Sequence, residues 1–153
     1  QSSRIEKIYL NAIILNALTL FSSKIKDKQV QVLYDFSKDY YIKSDNYLVS
    51  IIISNLISNA LKYSSQEGKV VISLSKNGSK TICSITDNGI GIAQEDIDKI
   101  FNPFYRSDAT NHPDIKGSGL GLSIVKKICQ LLHVGIEVKS IVNQGTTIVL
   151  TFD

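Results

Sequence analysis

Apolar side chains at Leu10, Ile13, Ile14, Ala17, Leu18 and Phe21 recur at i, i+3, i+4 spacing and predict an amphipathic helix over residues 9 to 26. Val30, Val32 and Tyr34 then alternate with polar residues, the pattern of a half-buried strand. A short extended piece around Tyr40 to Ile42 leads to Ser44-Asp45, a helix cap, and a second helix follows to about Lys62. Its buried stripe is Ile53, Leu56, Ile57 and Ala60. After Gly68 come two strands, roughly Val70 to Ser75 and Thr81 to Thr86, linked by the hairpin signal Asn77-Gly78. Gln94 to Phe101 suits a short helix, and Asn102 to Ser118 is polar, Pro-containing and without periodicity. A third helix spans Gly119 to Leu132. Strands near Ile136 to Lys139 and Thr146 to Phe152, joined by Asn143-Gln144-Gly145, close the chain.

Helices and strands do not alternate regularly and hairpins recur, so a mixed sheet with helices on one face is expected rather than a doubly wound parallel one. At 153 residues the chain is one domain with room for a core, and 43% apolar with 20% charged residues is ordinary for a globular protein. A net charge of +3 is too mild to point to nucleic acid or a membrane surface. No apolar run reaches the roughly 18 residues of a membrane helix, and no signal-peptide pattern opens the chain. Cys83 and Cys129 stand alone in a strand and a helix and are expected to be small buried apolar residues of a reducing compartment, neither metal ligands nor a disulfide. With no Met and a start at Gln1, the chain is expected to be a fragment of something longer.

The chemistry concentrates in three places. On the second helix, Asn55, Asn59, Lys62 and Tyr63 fall at i, i+4, i+7 and i+8, on a face beside the apolar stripe. Two carboxamides one turn apart offer neutral oxygens to a hard cation already held by phosphate, which suits Mg2+. Lys62 can reach phosphate and Tyr63 can pack on a base. Asp87-Asn-Gly-Ile-Gly-Ile92 then ends a strand with a carboxylate able to accept from an adenine amine. Gly89 and Gly91 let the backbone pass close to a flat ligand. Third, Gly117-Ser118-Gly119-Leu120-Gly121 runs straight into a helix whose first N–H groups face anionic oxygens. A dinucleotide-binding turn is excluded by context, since it needs a preceding βαβ strand where this chain has a long irregular loop. Arg106 and Lys116 in that loop suggest a basic lid over phosphates.

In this order these segments resemble the catalytic and ATP-binding domain of sensor histidine kinases, within the group shared with gyrase, the Hsp90 chaperones and the MutL proteins. Asn55 to Ser64 (NLISNALKYS) resembles the N box, and Asp87 to Ile92 the first glycine box. Phe101-Asn-Pro-Phe-Tyr-Arg106 resembles the F box, Gly117 to Leu122 the second glycine box, and Gly145-Thr146-Thr147 the C-terminal Gly-Thr element. The resemblance implies an α/β fold of Bergerat type. This is a two-layer sandwich with a mixed, mostly antiparallel five-stranded sheet, three main helices on one face and an ATP lid near Asn102 to Ser118.

It further implies ATP and Mg2+ as ligands. Asn59 would hold the metal with Asn55 assisting, both being catalytic; Lys62 and Tyr63 would meet phosphate and nucleotide; Asp87 would take the adenine amine. Gly89, Gly91 and Ile92 would line the base pocket, Thr146 would support the adenine hydrogen bonds, and Arg106 and Lys116 to Gly121 would bound the lid and cradle phosphates. Phe101 and Phe104 would pack the base of the lid. ATP-hydrolysing relatives carry Glu where this chain has Asn55, and an amide is no general base, so transfer rather than hydrolysis is implied. Neither His112, which precedes Pro113, nor His133 has the helical acidic setting of the phosphoacceptor, which is expected on a dimerisation domain upstream. Residues 1 to 9 are expected to be trailing linker and 10 to 153 the catalytic domain. The implied partners are that upstream domain and a response regulator receiver, with no nucleic acid and no membrane contact by this fragment. The implied setting is the cytoplasmic part of a sensor, monomeric as an isolated domain and homodimeric at full length. An anti-sigma-type serine kinase and a non-catalytic nucleotide sensor are the alternatives.

Overall fold

The computed structural model describes residues 4–103 and 121–153. Among the described residues two sheets and four helices follow in the order β1 (Ile5–Tyr9), α1 (Leu10–Leu20), α2 (Ser22–Lys28), β2 (Gln31–Asp35), β3 (Tyr41–Asp45) and α3 (Asn46–Tyr63). After these come β4 (Lys69–Asn77), β5 (Lys80–Asp87), a 3-10 turn at Gln94–Lys99, α4 (Gly121–Leu132), β6 (Gly135–Ile141) and β7 (Gly145–Phe152). The main sheet has the order β2-β4-β5-β7-β6, with β2 parallel to β4 and every other pair antiparallel. This is the mixed, mostly antiparallel five-stranded sheet that the sequence implied.

The central element is α3. Asp45 caps it by accepting from the Leu48 amide at 2.9 Å, a bond that satisfies one of the orphan donors of the first turn. Val49, Ile52, Ile53, Leu56, Ile57, Ala60 and Leu61 are all buried, a wider stripe than the four positions read from sequence. The helix packs between α1 and α4 and onto β5. Its partners across the core are Val70, Ile72 and Leu74 of β4, Cys83 and Ile85 of β5, and Ile148 and Leu150 of β7. Each alternates with outward-facing residues along its strand. Both cysteines are buried and unbridged, and burial pushes the Cys83 thiol up to about 12 and the Cys129 thiol up to about 11.

Three expectations change. The first helix is two, broken at Phe21: α2 has no fully buried residue and rests on the core only through partly buried Ile25. The β2 strand is an edge strand whose apolar alternation fails beyond Val32, with Tyr34 half exposed and leaning on Phe36 at 5.0 Å between ring centres. Residues Ile5–Tyr9, read as linker, form a strand that pairs with β3 in a separate two-stranded sheet and places Ile8 in the core.

Candidate functional site

The C-terminal end of α3, the turn after β5 and the turn between β6 and β7 meet at one end of the sheet, and glycines set how closely. Gly89 lies so near the C-terminus of α3 that a Cβ there would stand 1.9 Å from the Tyr63 carbonyl oxygen. Gly91, at φ +73°, leaves room only for hydrogen against the Ile141 carbonyl, which a Cβ would meet at 2.1 Å. Backbone bonds lock the contact: Ile90 N–H donates to the Tyr63 carbonyl at 3.3 Å, and Asn143 N–H to the Ile90 carbonyl at 2.7 Å. The second glycine of Asp87-Asn-Gly-Ile-Gly is therefore required by β6, and the first by α3.

The turn so held walls a cavity, open to solvent, between α3 and the sheet. Leu56, Ala60, Ile85 and Ile148 make its apolar floor, and Ile90, Ile92, Ile100 and Leu122 its rim. Among the described residues, those with polar side chains in its lining are Asn59, Tyr63, Asp87 and Thr146. Such a lining, apolar with a few placed polar groups, is what a flat heteroaromatic ligand requires.

Asp87 is 7% exposed. Burial pushes its carboxyl up to about 6, against the Gly89 and Thr146 backbone N–H groups and the Lys28 charge that hold it down. Gly89 N–H donates to Asp87 Oδ1 at 2.9 Å. Lys28, which sequence reading passed over, donates from Nζ to the carbonyls of Leu61 at 2.7 Å and Lys62 at 3.0 Å. It thus puts a cation on the negative end of the α3 dipole, beside the cavity.

Of the residues expected at the site, Asn59, Tyr63, Asp87, Gly91, Ile92 and Thr146 line the cavity together. Gly89 does not line it; it is the packing contact behind Asp87. Asn55 and Lys62 also lie outside the lining. The Asn55 amide donates to the Ile51 carbonyl at 2.8 Å, and its Oδ1 faces Gly121, where a Cβ would approach to 3.0 Å. Half-buried Phe101 packs under the Lys126 ammonium at 5.4 Å from ring centre. Phe104, Arg106, Lys116, Gly117, Ser118, Gly119 and Leu120 lie outside the described residues, as does His112, whereas His133 is an exposed residue at φ +58° after α4. Sequence reading also missed Ser140, a buried hydroxyl on β6 bonded to the Thr146 hydroxyl at 2.7 Å. Its only signal was a polar residue at an inward register position after Ile136 and Val138.

Residues 44–153 match the histidine kinase-, DNA gyrase B- and HSP90-like ATPase family. The chain belongs to that family. Among its relatives, sensor histidine kinase WalK of Bacillus subtilis (strain 168) is 36% identical over 129 residues, covering 82% of this chain and 21% of WalK. This chain thus spans about a fifth of that protein's length. In structure it resembles the nucleotide-free catalytic domain of histidine kinase ThkA, with TM-score 0.84, 26% identity and 97% of each chain covered. A further ThkA structure is a complex with response regulator protein TrrA (TM-score 0.80, 24% identity, 97% of this chain and 41% of that one). Full-length ShkA in complex with AMPPNP superimposes at TM-score 0.86 with 21% identity, covering 99% of this chain and 31% of ShkA. The ATPase fold of the family is the fold of this chain, and its cavity occupies the end of the sheet where α3, the turn after β5 and the turn between β6 and β7 meet.

Proposed function

We propose that this chain is the catalytic, ATP-binding domain of a sensor histidine kinase and that the cavity takes Mg-ATP, adenine first. The observation that carries this reading is a buried acceptor, Asp87, at the polar end of an otherwise apolar slot, with Asn59 at its side. The Asp87 carboxylate accepts from the backbone N–H groups of Gly89 and Thr146 and keeps lone pairs free to accept from an exocyclic amine. Tyr63 and Ile92 flank the base, Thr146 joins the hydrogen bonding around it, and Asn59 faces the phosphates. AMPPNP in the ShkA complex supports a nucleotide in a site of this fold.

Mg2+ fits the donor set: Asn59 offers a neutral carboxamide oxygen within the cavity lining, and Asn55 Oδ1 lies one turn away beside the start of α4. Bound there, the ion would neutralise charge on the phosphates. Lys62, Arg106 and the stretch Lys116 to Gly121 are proposed to hold the same phosphates. No carboxylate replaces Asn55, so the chain has no base at that position to activate water and holds ATP for transfer. What the chain then supplies is positioning and charge, the main demands of phosphoryl transfer. The acceptor is proposed to be a histidine on a helical dimerisation domain of the same protein, and the phosphate passes to an aspartate of a response regulator. The ThkA–TrrA complex supports that partnership. The parent is proposed to work in the cytoplasm as a homodimer.

Calorimetric titration with Mg-ATP tests the site. Asp87→Asn weakens binding by about 10- to 100-fold, the worth of a hydrogen bond to a charged group. Asn59→Ala removes the Mg2+ dependence of binding and stops transfer of labelled phosphate to a separately supplied acceptor domain. Wild-type protein that takes up no ATP at millimolar concentration would end this reading.

A further inference from the structure

Resting on that adenine site, we infer that Ser140 is a positioning residue that fixes purine specificity: it holds the Thr146 hydroxyl as a pure acceptor, so the cavity selects a 6-amino over a 6-oxo purine. Ser140 is 6% exposed and does not line the cavity. Its hydroxyl owns one proton and two lone pairs, and among the described residues three groups surround it. Ile92 N–H, at 2.7 Å, can only donate to it. The Gly145 carbonyl, at 3.0 Å, can only accept from it and takes the Ser140 proton. Thr146 Oγ1, at 2.7 Å, must then donate to Ser140. The Thr146 proton is thereby committed behind the cavity wall, and only lone pairs remain for a ligand.

Asp87 and Thr146 are direct partners across β5 and β7. The polar end of the cavity therefore presents two acceptors side by side. An exocyclic amine brings two N–H donors to such an edge. An oxo group brings only lone pairs, and a site built for a donor rejects an analogue that lacks it. The Ile92 bond adds a second consequence, because the same serine ties the first glycine turn to the Gly-Thr turn.

The test is the ratio of affinities for Mg-ATP and Mg-ITP, in which the 6-amino group and bare N1 of adenine become a 6-oxo group and an N1–H, measured by calorimetry on this chain. Wild type prefers ATP. In Ser140→Ala the Thr146 hydroxyl is released to donate to an oxo group, and the ATP-to-ITP ratio falls about tenfold, one hydrogen bond's worth. Thr146→Val, which removes the second acceptor, lowers the ratio similarly. Ser140→Ala also strands the Ile92 N–H and the Gly145 carbonyl, so it costs stability in any case; the ratio is the readout that a purely structural bond would not move. Equal proportional loss of both nucleotides would overturn the inference. Should Ser140→Ala fail to fold, Ser140→Cys, with a weak thiol donor and acceptor, is read the same way, and an unchanged ratio there overturns it too. Wild type binding neither nucleotide would strike the site itself, whereas wild type binding both equally would strike only the role of Ser140.

Discussion

Asp87, the proposed adenine acceptor, is held at a cost to the fold. Its carboxyl, raised by burial from the ordinary 3.8 to about 6, favours the protonated form in the folded protein. Its contribution to stability is therefore fully present below about pH 3.8 and fades as pH rises through about 6. The expected size is about 3 kcal/mol, two units of pKa converted by linkage. Urea unfolding of wild type and Asp87→Asn at a series of pH values checks it: wild type should lose about that much relative to the variant between pH 4 and pH 7. A constant gap would mean that the carboxylate is not desolvated. The sequence showed this residue plainly, because a carboxylate followed by two spaced glycines at a strand end is uncommon in a simple turn. It did not show Lys28 or Ser140. A lone lysine at a helix end and a lone serine in a strand carry no spacing signal, and their partners are backbone carbonyls and a hydroxyl far along the chain.

Elements were legible where one face is buried and the other wet. The α3 stripe and the strict alternation of β4 follow from local pattern and stand where the pattern put them, and the hairpin forms one residue along, with Asn77 paired to Lys80 and Gly78-Ser79 in the turn. The break at Phe21 and the splayed end of β2 were not legible, because both arise from what neighbours fail to cover. The role of Gly89 was half visible: its position was marked, but the close approach of α3 behind it was not. Substitution separates the two. Gly89→Ala drives a Cβ into the Tyr63 carbonyl and should cost about 3 kcal/mol or more, the upper range of overpacking. Gly78→Ala is the control: φ is +65° with nothing within 4 Å, so only the left-handed backbone is penalised, by about 1 kcal/mol. Denaturant midpoints of the two variants measure the difference. Equal costs would show that the turn can retreat from α3.

At the level of the whole molecule, the small sheet decides where the cooperative unit begins. Ile8 of β1 faces Ile42 of β3, and the two are 4% and 5% exposed. Arg4 N–H donates to Asp45 Oδ2 at 2.6 Å, while Asp45 Oδ1 caps α3. Those bonds hold the Asp45 carboxyl below its usual range. A strand that a linker reading would discard is thus joined to the N-terminus of the helix whose other end carries Asn59 and Tyr63. If β1 belongs to that unit, Ile8→Ala opens a cavity beneath α3 and costs about 3 kcal/mol. Ile5→Ala, at a side chain 59% exposed, should stay within about 0.5 kcal/mol. Chemical unfolding of both variants, followed by far-ultraviolet circular dichroism and by nucleotide affinity, gives the answer. The Ile8→Ala transition should remain single, shifted to lower denaturant, because α3 cannot lose its anchor without exposing the core it shares with β4, β5 and β7. An unshifted Ile8→Ala midpoint would place the start of the folded unit at Leu10 and make β1 an appendage.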